Sequence, residues 1–274
     1  MQSAVASVRS YLYFQHYRLP FAIQRSARSL RNMRGSRSVQ KAKVASQSRS
    51  SLDSYSLNSY LRTGTVFVHI PKTGGLAVAR ALYKNRGFGH RPLQYYRHRV
   101  SHREWQSFFK FAVVRNPFTR IESAFHFLKQ GGLDENDARV ASALLDDVST
   151  FEDFVLTWLT PIRRYSIIHF VPQVDFLIRP HSSPKLDYLG YFERLPLDFD
   201  AIAKRVGSET DLEVVNKTRR KPRFDWSSNN GQLVAKKLAR LYRRDFEALG
   251  YSKNPLRPNP TGRLQRVALS AADC

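Results

Sequence analysis

Cysteine is all but missing from this chain of 274 residues: the only one is Cys274. An intramolecular disulfide is therefore excluded, and with it the usual staple of secreted and lumenal domains. Long apolar runs are missing too, and with no stretch of about 18 apolar residues the sequence predicts no membrane span. Tyr11 to Phe14 is too short for the apolar core of a secretory signal, and Gln15, His16, Tyr17 and Arg18 interrupt it. These absences favour a soluble, cytoplasmic location. No cluster of His and Cys has metal-ligand spacing, so no metal site is expected. Acidic residues are scarce: 22 Asp and Glu face 45 Lys and Arg, a formal charge of +23. Such an excess implies an anionic partner, whether nucleic acid, acidic membrane, polyanionic glycan or nucleotide cofactor.

What is present divides into three regions. Residues 1–62 form a basic, Arg- and Ser-rich stretch, with ten Lys and Arg and no acid through residue 52. A flexible N-terminal region fits that composition, and so does an organellar transit segment or a nucleic-acid arm. Residues 63–252 carry the pattern of a folded domain, and 253–274 read as a flexible C-terminal tail. In the domain, Thr65–Ile70 and Phe111–Val114 are short β-branched and aromatic runs that predict buried strands, and Tyr188–Phe192 predicts a last one. Helical spacing follows over Leu76–Tyr83 and from Pro117 to Gln130, with further helices over 136–146, 151–160, 198–206 and 229–248. Trp105–Lys110 can close another helix. Strands alternating with helices predict an α/β fold with a parallel sheet.

Two strand-to-helix junctions can bind anions. In His69-Ile-Pro-Lys-Thr-Gly-Gly75, a tight turn can aim backbone N–H groups at an anion, and the N-terminus of the following helix adds partial positive charge. Gly74 and Gly75 permit close approach, Lys72 adds a point charge and Thr73 a hydroxyl. A phosphate or sulfate fits there, although the same residues could form an ordinary surface turn. The Gly-x4-Gly-Lys-Ser/Thr order of an ATP or GTP loop is absent. In Val114-Arg-Asn-Pro-Phe-Thr-Arg-Ile-Glu-Ser123, Arg115 emerges from the second strand and Ser123 follows on the helix. The two can share one tetra-oxo anion; alternatively, Arg115 is a strand-end surface charge.

Together the two junctions suit a cofactor with two separated anionic groups, and here the sequence resembles sulfotransferases that use 3′-phosphoadenosine-5′-phosphosulfate (PAPS). His69–Gly75 resembles their 5′-phosphosulfate loop. Val114–Phe125 resembles their 3′-phosphate motif, Arg-x-Pro-x-x-Arg-x-x-Ser-x-aromatic. His169-Phe-Val-Pro-Gln173, the Tyr188–Glu193 strand ending in Phe-Glu, Val215–Thr218 and Tyr242–Tyr251 resemble further family segments. The nearest likeness is to the carbohydrate branch, which includes Golgi enzymes and bacterial relatives and so leaves an organellar location open.

The resemblance implies a P-loop-like three-layer fold, with a central parallel sheet flanked by helices. It implies transfer of a sulfonate group from PAPS to a hydroxyl-bearing acceptor, a glycan by the branch, with no metal. Lys72 would act on the leaving 5′-phosphate, with Thr73, Gly74, Gly75 and Leu76 as further donors to it. Arg115 and Ser123 would hold the 3′-phosphate, and the segment from Lys217 to Arg220 would close over the cofactor. A general base is needed for the acceptor, and His suits neutral pH. His90 stands at the family spacing before Trp105, with His98 and His102 as alternatives, while His169 would position Pro172–Gln173 or the substrate. The competing reading is a basic nucleotide- or nucleic-acid-binding P-loop-like protein without transferase activity. No nucleic-acid module is recognisable, so no specific nucleic-acid partner is expected.

Overall fold

The computed structural model describes residues 57–177, 186–212 and 224–257. Chain order begins α1 (Asn58–Thr63), β1 (Thr65–Val68), α2 (Gly75–Tyr83), α3 (Leu93–Arg97), α4 (His102–Ser107), β2 (Phe109–Val114) and α5 (Pro117–Lys129). It continues with α6 (Glu135–Leu145), α7 (Phe151–Asp153), a π-helical turn (Phe154–Trp158), α8 (Val174–Leu177) and β3 (Tyr188–Tyr191). The last three elements are α9 (Leu195–Val206), α10 (Asn229–Leu241) and α11 (Arg243–Leu249).

The three described strands make one parallel sheet in the order β1-β2-β3, with Thr65 opposite Phe109 and Phe111 opposite Tyr188. Every residue of β1 is buried, as are the last five of β2. Burial on both faces is what a parallel sheet demands, and it explains why both strands read as unbroken apolar runs. Helices flank the sheet: α1 and α3 lie against β1, and α9 against β3. This is the α/β architecture that the sequence predicts.

The register has one consequence for function. His69, Arg115 and Phe192 are the first residues after β1, β2 and β3, so three loops converge at the carboxyl end of the sheet. That end is where open α/β sheets bind ligands.

Several boundaries differ from the sequence reading. β1 ends at Val68, and His69 and Ile70 carry the buried run on into the loop. The boundary read at residue 62 falls within α1, whose Tyr60 is buried against Tyr83 and Tyr96. The helix expected over 229–248 is two helices separated at Tyr242, whose hydroxyl donates to the Phe170 carbonyl at 2.6 Å. The helix expected over 151–160 widens after Asp153 into a π-helical turn. Ring contacts of Phe154 with Phe125, Phe170 and Trp158 surround it.

Candidate active site

The first loop is built tightly. Lys72 holds a left-handed backbone (φ 67°), which costs a side-chain-bearing residue about 1 kcal/mol and marks a conformation imposed by its surroundings. Gly74 is left-handed as well (φ 79°), and a Cβ there would lie 2.7 Å from Leu195 Cδ2. Gly75 is needed for a different reason: a Cβ would run into the ring of His69. The Thr73 hydroxyl is buried and donates to the Ile70 carbonyl at 3.0 Å. It is therefore spent on the loop itself, and only the backbone N–H of Thr73 is left for an anion. α2 starts at Gly75, so the N–H groups of Gly75 and Leu76 have no partner within the helix.

The Lys72 ammonium sits 3.7 Å above the Phe127 ring, a cation–π contact with α5. Desolvation, and then the nearby Arg115 charge, lower the Lys72 pKa to about 8, against an upward pull from Asp137.

The second loop is held by a polar frame. Gln173 clamps the Arg115 backbone, accepting from its N–H at 2.9 Å and donating to its carbonyl at 2.8 Å. Asp245 accepts from the Gln173 and Val174 N–H groups at 2.9 and 3.0 Å. Arg120 is fully buried and donates to the His169 and Val171 carbonyls. Glu193 accepts from the Asn116 N–H and from the Tyr251 hydroxyl, both at 2.7 Å, and so ties the end of β3 to the start of α5. Asn116 also caps α5 by accepting from Phe118 N–H, with Pro117 in the first turn.

In this frame the Arg115 guanidinium donates to Thr119 Oγ1 at 3.1 Å and to the Lys72 carbonyl at 3.2 Å, and it lies 4.3 Å over the Phe192 ring. Desolvation lowers its pKa to about 10, although Glu193 and Glu122 pull it upward. Ser123 is half-buried one turn beyond Thr119, on the same face of α5. Neither Lys72 nor Arg115 belongs to an ion pair among the described residues.

A histidine cluster adjoins the first loop. The rings of His69 and His90 lie 4.4 Å apart, and those of His90 and His169 5.9 Å apart. Phe127 connects this cluster to Lys72, since its ring is 5.2 Å from His169. His90 Nδ1 is 2.8 Å from the His69 carbonyl oxygen. A carbonyl can only accept, so Nδ1 carries the proton and Nε2 keeps its lone pair. Desolvation lowers the His90 pKa to about 4, with Lys72 and Arg91 adding to the effect against the hydrogen bond to His69. Burial likewise holds His69 and His169 well below the ordinary value. All three rings are thus neutral at physiological pH.

The sequence-predicted residues Lys72, Thr73, Gly74, Gly75, Leu76, His90, Arg115 and Ser123 all fall on the loops and helices at the carboxyl end of the sheet. His98 caps the end of α3, and His102 is exposed on α4, 3.1 Å from an Arg97 nitrogen. Lys217 lies outside the described residues. Sequence reasoning missed Phe127, Thr119, Asp245 and the packing role of Phe192. Phe127 left one signal: it is an aromatic off the Phe118, Ile121, Phe125, Leu128 stripe that buries α5.

The parallel sheet flanked by helices is consistent with a P-loop-like α/β domain, here with two cationic loops at the carboxyl end of the sheet. More specifically, a profile of the Sulfotransferase family matches residues 62–252, and the chain belongs to that family. Transfer of a sulfonate group is therefore its general activity. No curated protein and no solved structure matches the chain.

Proposed function

We propose that the protein transfers the sulfonate group of PAPS to a hydroxyl of a carbohydrate acceptor, with His90 as general base. The observation that carries this reading is a pair of desolvated cations, Lys72 and Arg115, on adjoining loops with no carboxylate ion-pair partner among the described residues. Buried charge of one sign is costly unless an opposite charge arrives. A donor with a phosphosulfate at one end and a 3′-phosphate at the other supplies anions for both. When bound, PAPS supplies a sulfur centre already activated by a phosphate leaving group.

The residues then have separate tasks. Backbone N–H groups of Thr73, Gly74, Gly75 and Leu76 hold the 5′-phosphate at the start of α2. Lys72 donates to the oxygen that gains charge as the S–O bond to that phosphate breaks. Arg115 and Ser123 hold the 3′-phosphate, and Lys217, outside the described residues, is assigned to the cofactor by the motif likeness alone. His90 Nε2 removes the acceptor proton as the new O–S bond forms, leaving an imidazolium whose Nδ1–H stays on the His69 carbonyl. The sulfate monoester of the acceptor, 3′-phosphoadenosine-5′-phosphate and the proton on His90 complete the balance. The carbohydrate acceptor is supported by the motif likeness.

The test combines binding and turnover. Calorimetry with 3′-phosphoadenosine-5′-phosphate should show tight binding that Lys72→Ala and Arg115→Ala each weaken. Radiolabelled PAPS with a panel of glycans, phenols and alcohols should label glycans, and His90→Ala should abolish labelling with cofactor affinity nearly intact. Absence of cofactor binding, or ATP binding as tight, sinks the donor assignment. Full turnover in His90→Ala moves the base to His98 or His102.

A further inference from the structure

On α10, Leu233, Lys236, Lys237 and Arg240 recur at helical spacing and share one face, away from the Val234, Ala235 and Leu238 that bury the helix. The stretch from Leu156 to Tyr165 lies beside this face. The Lys237 ammonium donates to the Leu156 carbonyl at 2.9 Å, and the Arg164 guanidinium donates to the Leu241 carbonyl. Between these two contacts the chain turns and leaves Ile162 in solvent. The turn is fixed: Thr160 Oγ1 accepts from the Arg163 N–H at 3.0 Å, and the Thr160 carbonyl accepts from the Arg164 N–H at 3.1 Å. Ile162 is 64% exposed and Leu233 55%. Leu233 thus stands at the start of the ridge and Ile162 beside its end.

The charge on this face is of one sign. No acid occurs from Phe154 to Val174 or from Trp226 to Arg244. Arg163, Lys236 and Arg240 are exposed and have no ion-pair partner among the described residues. Glu247 on α11 is already paired with Arg243 and Lys253, at 3.4 and 2.8 Å.

We infer that this face docks on an anionic lipid surface, with Arg163, Lys236 and Arg240 among the headgroups and Ile162 and Leu233 in the acyl boundary. The two aliphatic side chains decide between polyanions. A nucleic acid or an acidic glycan matches the cations but offers no hydrocarbon to Ile162 and Leu233. The Trp158 ring, a platform of the kind that bases stack on, is buried. A bilayer interface takes both kinds of side chain: apolar groups enter the boundary, while Lys and Arg lay their stems along it and keep their charges at the phosphates. Val234, Ala235 and Leu238 stay in the core throughout, so α10 docks without leaving the fold.

The inference needs no donor and does not depend on the transferase reading. Residues 1–52 carry ten cations of their own, so variants of the full chain are compared with one another. Each is titrated with vesicles of equal parts phosphatidylserine and phosphatidylcholine, with phosphatidylcholine vesicles and with polyuridylate. Lys236→Glu/Arg240→Glu should lose about thirtyfold or more on the anionic vesicles, at about fivefold per cation. Lys204→Glu/Arg205→Glu, an equal charge change on exposed positions of α9, should lose less than about threefold, since those cations lie off the docking face. Ile162→Ser/Leu233→Ser should lose about tenfold on the same vesicles and nothing on polyuridylate. Leu233→Trp reads the face directly: its emission should move to shorter wavelength with anionic vesicles and stay put with phosphatidylcholine alone. It also serves if a double variant does not fold. Affinity for 3′-phosphoadenosine-5′-phosphate and the thermal midpoint should hold in every variant. Equal losses in the two charge variants, or an unmoved Leu233→Trp emission, would overturn the docking face. Unchanged vesicle affinity in Ile162→Ser/Leu233→Ser would overturn the lipid and leave a surface for polyanions in general.

Discussion

The Arg115 guanidinium donates to the Lys72 carbonyl at 3.2 Å, so the residue proposed for one phosphate also holds the backbone of the loop proposed for the other. Lys72 keeps a left-handed backbone partly because its carbonyl is gripped in this way. The same guanidinium rests on Phe192, whose ring borders Gly74. The two loops are mechanically one unit, joined through Arg115 and Phe192.

This joint separates Arg115 from Ser123 experimentally. Ser123→Ala removes one hydroxyl and should weaken 3′-phosphoadenosine-5′-phosphate by up to about tenfold, with 5′-AMP affinity unchanged. Arg115→Ala removes a charge-assisted contact worth about 2–3 kcal/mol, so the bisphosphate should lose about thirty- to 150-fold. Because the Lys72 loop loosens as well, 5′-AMP should weaken several-fold in Arg115→Ala alone. Calorimetry with the two nucleotides checks this, and unchanged 5′-AMP affinity would mean that the loops act independently.

Lys72 and His90 together set a pH window. In the free protein Lys72 loses its proton as pH rises through about 8. A bound 5′-phosphate favours the charged form, so binding takes up a proton above that pH. Affinity should therefore fall with rising pH by at most about tenfold per unit. His90, lowered to about 4, is a neutral base at every pH well above that value. The profile of kcat/KM should be flat between roughly pH 5.5 and 7.5, with one limb near 4 and the other near 8. Phe127→Leu removes the ring under the ammonium and should move the alkaline limb, leaving the acid limb in place. A single limb near the ordinary histidine value of about 6.5 would contradict the environment described for His90.

How much of this was legible in the sequence depended on how local the cause was. β1 and β2 could be read because a strand buried on both faces must be apolar throughout. The start of α5 could be read because Pro117 suits the first turn of a helix. The frame of the second loop could not, since Gln173 grips Arg115 from 58 residues away and Asp245 grips Gln173 from 72. Tyr242, where the last two helices separate, is likewise held by a distant partner, the Phe170 carbonyl 72 residues away. The π-helical turn after Asp153 changes hydrogen-bond register while the apolar residues continue, so periodicity passed over it. Lys72 and His90 were singled out as residue types at motif spacing. That Phe127 joins the ammonium to the histidine cluster is a matter of packing, which no spacing rule encodes.

Gly75 gives a test in which helix propensity and packing predict opposite signs. It is the first residue of α2 and its φ is not left-handed, so propensity alone expects Gly75→Ala to stabilise by about 0.5–1 kcal/mol. The His69 ring occupies the space that the new methyl group needs. That ring is itself confined by Phe67 on one side and His90 on the other. Overpacking of this kind costs about 1–3 kcal/mol, so the variant should be less stable than the parent in urea unfolding. Displacing His69 also disturbs the carbonyl that fixes the His90 tautomer, so turnover should fall more than cofactor affinity. In a His69→Ala background the obstacle is gone, and Gly75→Ala should then stabilise. A double-mutant cycle reads this change of sign as a coupling energy; a coupling near zero would mean that the ring does not set the requirement for glycine.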